Sequence, residues 1–412
     1  MKLFNSILIA LLVTTAPVIA TADEGADTFF LLDVNRECFS TEHILGSDSA
    51  LKYQAPKTLN NFDMAVFKSQ PLRSGYPKNR QELKKLVDDF YANGKRPKSD
   101  EYFNLMNQFT PDAIIAIVES TLKDEDALKE IAKDSYRHVT DFTKIVLVQG
   151  DKSNNYKVRL HLWWPQKDSV AKKLAVEDKH VHKWDFSSRM FAGKFENQIF
   201  TTRNASEKEK QIHDNFITQV EKLPKDEQKK VFESLNMIEM ALYKKSMFHN
   251  KQYLCSLKQE EYYTLKDLMK KFNLTKDEVQ IILSAYQRYI TEPNVTGEYH
   301  LKKIGLEMLN PPILYNIADG TIYVERYQLA HRLISNPNDI TVTMVVTAPP
   351  IKEADPYLLM REETGEDITK NAPKLSVEDL RKELTMFLEY MKAKQRKQDE
   401  TKKTEKPKEL VH

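Results

Sequence analysis

His180-Val181-His182-Lys183-Trp184-Asp185-Phe186, closed by Gly193, is the stretch on which the reading of this chain turns. It lies between 157–164 and 194–201, both of which read as strands. Two histidines two apart on a strand share a face, so their imidazoles can reach one ion together. A third ligand has to come from elsewhere. The candidate is His331, in Tyr327-Gln328-Leu329-Ala330-His331-Arg332-Leu333.

The flanking strand adds a second feature. Along 157–164, one face carries Val158, Leu160, Leu162 and Trp164, and the other carries Lys157, Arg159, His161 and Trp163. A face of that kind either lines a polar pocket or meets solvent. A Lys-rich loop, 166–179, leads into the histidines, and 195–201 continues as strand.

Helical signals dominate on either side. In 78–135, Leu83, Leu86, Val87 and Phe90 follow helical spacing up to Asn93-Gly94, and Thr110-Pro111-Asp112 is a helix start. The segment 124–134 is a further amphipathic helix, and 23–135 reads as a mostly helical support. After 204 the chain turns rich in Lys, Glu, Leu and Met, and 204–292 reads as a helical insertion, with Thr275-Lys276-Asp277-Glu278 as a capping box before a helix over 279–289. Two helices over 265–290 resemble the pair in DNA readers only weakly. Strands return at 298–304, 321–327 and 341–347. A last helix over 376–392 precedes a charged tail from Ala393 that reads as disordered. Gly is only 10 of 412 residues, against a usual ~7%, so helix is expected to outweigh strand, and the class is α+β.

Composition narrows the function classes. With 41% hydrophobic residues a sizeable core can form. Lys+Arg is 62 and Asp+Glu 60, a net +2, so no global field favours nucleic acid. Residues 1–22 read as a secretory signal, with Lys2, an apolar stretch and Ala20-Thr21-Ala22 before Asp23. The mature chain is expected to be periplasmic or secreted, with no span after cleavage. Cys38 and Cys255 either pair or stay free. Asn204, Asn273 and Asn294 fit the glycosylation pattern, which matters only in a eukaryotic host.

The histidine stretch resembles the first motif of the cupin superfamily, Gly-x5-His-x-His-x3-4-Glu-x6-Gly. His180, His182 and Gly193 fit its spacing, Phe186 stands where the motif has Glu, and the opening Gly is absent. The second motif is worn: Gly320 precedes it, its Pro-x-Gly is missing, and His331 is followed by Ser335-Asn336. Lacking the Glu, the site is similar to that of cysteine dioxygenase and related thiol dioxygenases, which hold Fe(II) with three histidines. Tyr136-Arg137-His138 falls where that family has Tyr-x-Arg, and Val345 and Thr347 replace its His-x-Tyr before Pro349-Pro350. The resemblance covers roughly 136–203 and 297–350. The chain also resembles a group of bacterial cupin-like proteins over the run from Ser135 to Ser188. The resemblance implies a cupin-like antiparallel β-barrel (a jelly roll) in two parts, 136–203 and 293–352, split by the insertion and followed by 353–412.

Neutral imidazole suits Fe(II), Zn, Ni or Cu, and three protein ligands leave positions open for substrate. Phe186 makes one wall apolar. Asp185 is the nearest carboxylate in sequence, though strand alternation turns it away from the histidines. Three functions follow. One is a non-haem Fe(II) dioxygenase acting on a small thiol or other small anionic substrate, with His180, His182 and His331 on the metal, Arg159 or Arg137 anchoring the anion, and His161 and Tyr136 in the pocket. Another is a metal-binding cupin without turnover, holding Fe(II), Zn or Ni. The last is an interaction protein that engages a partner through 204–292.

Overall fold

The structure is a computed structural model and describes residues 41–45, 64–70, 75–138, 142–152, 154–165, 175–243, 246, 261–293, 298–336, 338–361 and 368–404. Residues 1–22, read as a secretory signal, lie outside the described residues, as do Cys38, Cys255, Asn294 and most of the Lys-rich loop. The fold is α+β, with antiparallel sheets and a curled half-barrel. Among the described residues no helix is long and apolar enough to cross a membrane.

One sheet has seven strands, in the order β1 (Met64–Lys68), β13 (Thr321–Glu325), β7 (Phe186–Ala192), β15 (Thr341–Thr347), β4 (Lys157–Trp163), β3 (Thr143–Gln149) and β2 (Tyr136–Arg137). The other runs β12 (Ile313–Ala318), β8 (Lys194–Phe200), β14 (Ala330–Ser335), β6 (Lys179–Val181), β16 (Tyr357–Met360), β10 (Ala285–Pro293), β11 (Glu298–Leu309) and β17 (Ile368–Asn371). Two short strands, β5 (Ala175–Val176) and β9 (Thr202–Asn204), pair with β14 and β11. Gly193 carries the chain from one sheet to the other, between β7 and β8. Its φ is +77°, and a Cβ there would lie 2.3 Å from the Ile340 carbonyl oxygen, so only glycine fits both the left-handed backbone and the space.

Alternation decides which side of each strand is dry. In β4, Val158, Leu160 and Leu162 are buried against helices α2 (Arg80–Tyr91), α3 (Ser99–Asn107), α4 (Pro111–Leu122) and α5 (Glu125–Asp134) and against the C-terminal α10 (Val377–Thr404), all in one apolar cluster. Side chains of the opposite parity, Lys157, Arg159 and His161, face the space between the sheets. The expected caps form: Thr110 Oγ1 accepts from Ala113 N at 3.1 Å and Asp124 Oδ1 from Ala127 N at 2.9 Å. A second apolar cluster unites α1 (Thr41–Leu45), α6 (Glu207–Glu221), α7 (Lys225–Leu242), α8 (Leu265–Phe272) and α9 (Lys276–Ser284), and joins them to Ile334 of β14.

Two expectations are corrected. The helical segment ends at Ser284, not near 289–292, because 285–293 is strand β10, whose Ala285–Met308 to Pro293–Tyr299 register pairs it with β11. Tyr286, Tyr289 and Ile290 suit a pleated surface as well as a helix turn, and neighbouring strands decide the matter. The charged segment after Ala393 is not disordered as far as Thr404: α10 runs through it. Leu380, Leu384, Phe387 and Met391 anchor that helix in the core, and Lys394 continues the docking with a hydrogen bond to the Phe191 carbonyl at 2.5 Å.

A buried ionic network fastens the insertion to the second sheet. Glu239 of α7 takes Lys179 at 2.9 Å and Arg361 at 3.0 Å, and accepts from the Tyr286 hydroxyl at 2.5 Å. Arg332 approaches it at 4.0 Å and donates through Nε to Gln198 at 2.6 Å. Lys179 and Arg332 each neighbour a candidate metal ligand in sequence. Period-two alternation therefore puts the histidines on the other face of the same two strands.

Candidate metal centre

β6 and β14 lie side by side, and His331 pairs directly opposite His180. Residues in that relation share a face with Cβ atoms roughly 5 Å apart. His182 follows the last residue of β6 and returns to the same side. The outcome is a compact cluster: His331 Nε2 lies 3.0 Å from His180 Nε2 and 3.1 Å from His182 Nε2. His180, His182 and His331 form the group of metal-competent side chains found among the described residues.

The tautomers follow from the groups behind the rings. His180 Nδ1 is 2.8 Å from the Asp178 carbonyl oxygen, which only accepts, so Nδ1 carries the proton. His331 Nδ1 sits between Asn197 Oδ1 at 3.3 Å and Glu325 Oε1 at 3.1 Å. The amide oxygen accepts the hydrogen bond, which requires Nδ1–H, and the carboxylate stands at ion-pair distance from the same nitrogen. The Nε2 atoms of His180 and His331 are thereby left with bare lone pairs pointing at each other across 3.0 Å. Such an arrangement is repulsive unless a cation or a shared proton lies between.

The spacing fits a metal. With bonds of ~2.0–2.1 Å to imidazole nitrogen, ligands at right angles stand about 2.9 Å apart and at the tetrahedral angle about 3.4 Å. The observed 3.0 and 3.1 Å fall within that interval. Electrostatics act unequally on the three rings. Burial pushes the His182 imidazole well below its ordinary value, and its neighbours His180 and His331 push it the same way. Burial would also lower His331, but the Glu325 carboxylate overrides it and holds the ring above its ordinary value. Glu325 is itself fixed by Asn197 Nδ2 at 2.9 Å.

No family model and no curated protein matches this sequence.

The cluster opens into a cavity of about 440 Å3 between the two sheets. Its apolar wall near the histidines comes from Trp184 and Phe186. The Trp184 ring stacks on His182 with centroids 5.3 Å apart, and Phe186 meets His182 edge-on at 5.4 Å. Arg159 lies over the other ring system of this stack, its guanidinium carbon 5.4 Å from the Trp184 centroid. His161 and Tyr136 also line the cavity, and burial followed by Lys144 and Arg159 keeps His161 well below its ordinary value. Lys157, Arg159 and His161 thus share the polar face expected of that strand.

Other sequence candidates lie elsewhere. Arg137 does not reach the cavity as an anion anchor; it ion-pairs with Glu383 of α10 at 3.2 Å, because residues alternate and Tyr136 takes the inward side. Asp185 faces away from the histidines, as alternation implies. It is 1% exposed and clasps Arg96 at 2.6 Å, Arg326 at 2.8 Å and the Tyr327 N–H at 3.1 Å. That clasp pins the turn bearing His182 and Trp184. Glu325 and Asn197 escaped the sequence reading. Their one signal is a charged or amide residue on an otherwise apolar strand, as Glu325 is after Ile322, Tyr323 and Val324.

Proposed function

We propose that this chain is a metalloprotein of cupin type whose metal, Fe(II) by ligand chemistry, serves the oxidation of a small anionic substrate by dioxygen. The observation that carries the reading is the convergence of three imidazole Nε2 atoms, two of them tautomerically fixed, at the floor of a closed-in cavity. A bound metal would supply Lewis-acid or redox chemistry on the cavity side.

The chain's own residues define what reaches that point. His180, His182 and His331 present neutral nitrogen donors, which suit Fe(II), and suit Zn or Ni as well. Asp178 and Glu325 orient two of the rings, and Glu325 adds the negative charge that the cupin motif glutamate would otherwise bring. Phe186 and Trp184 exclude water from one side. Arg159, carried on the cavity face of β4, holds an acid group of the substrate, and His161, kept neutral, is a hydrogen-bond partner without a competing charge. Tyr136 closes the far end. Export through residues 1–22 belongs to the same proposal.

Interaction through the insertion is the weaker alternative. Large hydrophobics exposed among the described residues are Val66, Ile304 and Met386, none of them on the insertion helices. Oxygen uptake by the Fe(II)-loaded protein, screened against small thiols and organic acids, tests the reading. Uptake with at least one acid, lost in His180→Ala, supports it. Stoichiometric metal with no uptake across the screen replaces it with metal binding without turnover.

A further inference from the structure

Beyond Arg159, the cavity holds more positive charge than a single carboxylate needs. Lys144, Lys157 and Lys374 line it as well. Lys144 pairs across β3 and β4 with His161, Tyr136 pairs with Lys144, and an isolated bridge joins Tyr136 to Lys374. Arg159 and Lys157 follow on the same face of β4, two and four residues before His161, so the four cations line one stretch of the cavity wall. Two of them feel the others: burial and then Arg159 depress Lys144 against Glu177, and burial, Arg159, Lys374 and Lys144 act together on Lys157 against Asp134.

What faces these cations is mostly aromatic. Lys144 Nζ is 5.4 Å from the Tyr136 centroid and 5.2 Å from that of Phe142, and Lys374 Nζ is 5.5 Å from Tyr136. Among the described residues no carboxylate oxygen comes within 4.0 Å of Lys144, Lys157 or Lys374, though Glu177 attracts Lys144 and Asp134 attracts Lys157 from farther off. Three acids do line the cavity. Asp134 is exposed and acts on Lys157, Asp178 lies at the His180 end of the lining, and burial raises the Glu177 carboxyl against the pull of His331 and Lys144. Ring faces attract cations but do not neutralise them. Lys144, Lys157 and Arg159 are half-buried and Lys374 is exposed at their edge, and cations crowded in this way are stabilised by a ligand with more than one negative charge. The size agrees, since about 440 Å3 falls among pockets of ~300–1,000 Å3 that enclose ligands larger than a bare amino acid.

We propose that the cavity recognises a ligand with a dianionic head group, a phosphate monoester or a dicarboxylate, seated among Lys144, Lys157, Arg159 and Lys374, with its body along the Trp184–Phe186 wall toward the three histidines. This rests on the cavity being the substrate chamber of the proposed metal centre, but the head-group site itself needs no metal.

Calorimetric titration of the full chain at low salt, both as purified and after chelator treatment, tests it with inorganic phosphate, malonate and acetate. Phosphate or malonate should bind, and either should bind at least tenfold more tightly than acetate; which of the two prevails separates the two sources of the head group. Lys374→Gln, an exposed substitution that leaves the core alone, should weaken the preferred dianion about 10-fold, and Lys157→Met with Lys374→Gln about 100-fold. Acetate binding as tightly as both dianions, neither dianion binding, or a folded Lys374→Gln protein with wild-type affinity would each overturn the proposal. Dianion binding that persists in chelator-treated protein alongside absent metal in the purified chain would sink the metal reading alone.

Discussion

Replacing Glu325 by glutamine removes one charge from behind His331 and little else. The carboxylate stands 3.1 Å from His331 Nδ1, and its other oxygen accepts from Asn197 at 2.9 Å. Glutamine keeps an acceptor at the first position, so the Nδ1–H tautomer survives while the charge is lost. Partners of this kind are worth 10–100-fold in metal affinity, about 1.4–2.7 kcal/mol. Glu325→Gln belongs near the lower end. Glu325→Ala belongs near the upper end, because it also strands the Asn197 amide. Competition against a chromophoric chelator measures both. The pH dependence carries a further sign. Glu325 raises the His331 imidazole above its ordinary value, so in the wild type a proton competes with the metal up to a higher pH. Acidification should thus weaken the wild type sooner than Glu325→Gln, and the gap should narrow from pH 8 to pH 6. Equal affinities at pH 8, or a gap that widens on acidification, would refute the reasoning.

Three other outcomes follow from particular contacts. Asp185→Ala leaves the mostly covered Arg326 and half-exposed Arg96 without their shared carboxylate, and should cost roughly 2–4 kcal/mol in urea unfolding, since water screens part of the exposed guanidinium; a loss under about 1 kcal/mol would show that the clasp is dispensable. Gly193→Ala forces φ +77° on a side chain whose Cβ meets the Ile340 carbonyl, and should cost about 1–3 kcal/mol by backbone strain alone. Wild-type unfolding midpoints for Gly193→Ala would contradict the turn described. Lys144 is held down to about 7 by burial and by Arg159, whereas the unfolded value is about 10.4. The unfolded chain binds more protons across that window, so this lysine's destabilising effect is full below about pH 7 and fades as pH rises toward 10.4. Lys144→Met should gain stability over wild type at pH 6 and lose that advantage by pH 10; an advantage independent of pH would contradict it.

Much of this site is visible in the primary structure because it depends on period-two alternation. His180 and His182 share a face, Lys157, Arg159 and His161 share another, and the turn at Gly193 demands glycine. Helix starts at Thr110, Asp124 and Thr275 are equally local, since the cap bonds to a neighbour three residues on. What stayed hidden depends on distant partners. Residues 285–293 alternate acceptably as strand and as helix, and only pairing with 298–309 decides between them. The charged run after Ala393 stays helical because the four turns before it are buried. Glu325 and Asn197 reach His331 across separate strands. Alternation gives the direction of Asp185, whereas its guanidinium partners come from the distant positions 96 and 326.

Whether the three imidazoles hold an ion decides the function proposed for this chain. Elemental analysis of protein purified anaerobically should find about one equivalent of a first-row divalent metal, iron when iron is supplied, and a loss of it in both His182→Ala and His331→Ala. Protein without metal under these conditions, or a His331→Ala variant that retains the wild-type complement, would contradict it.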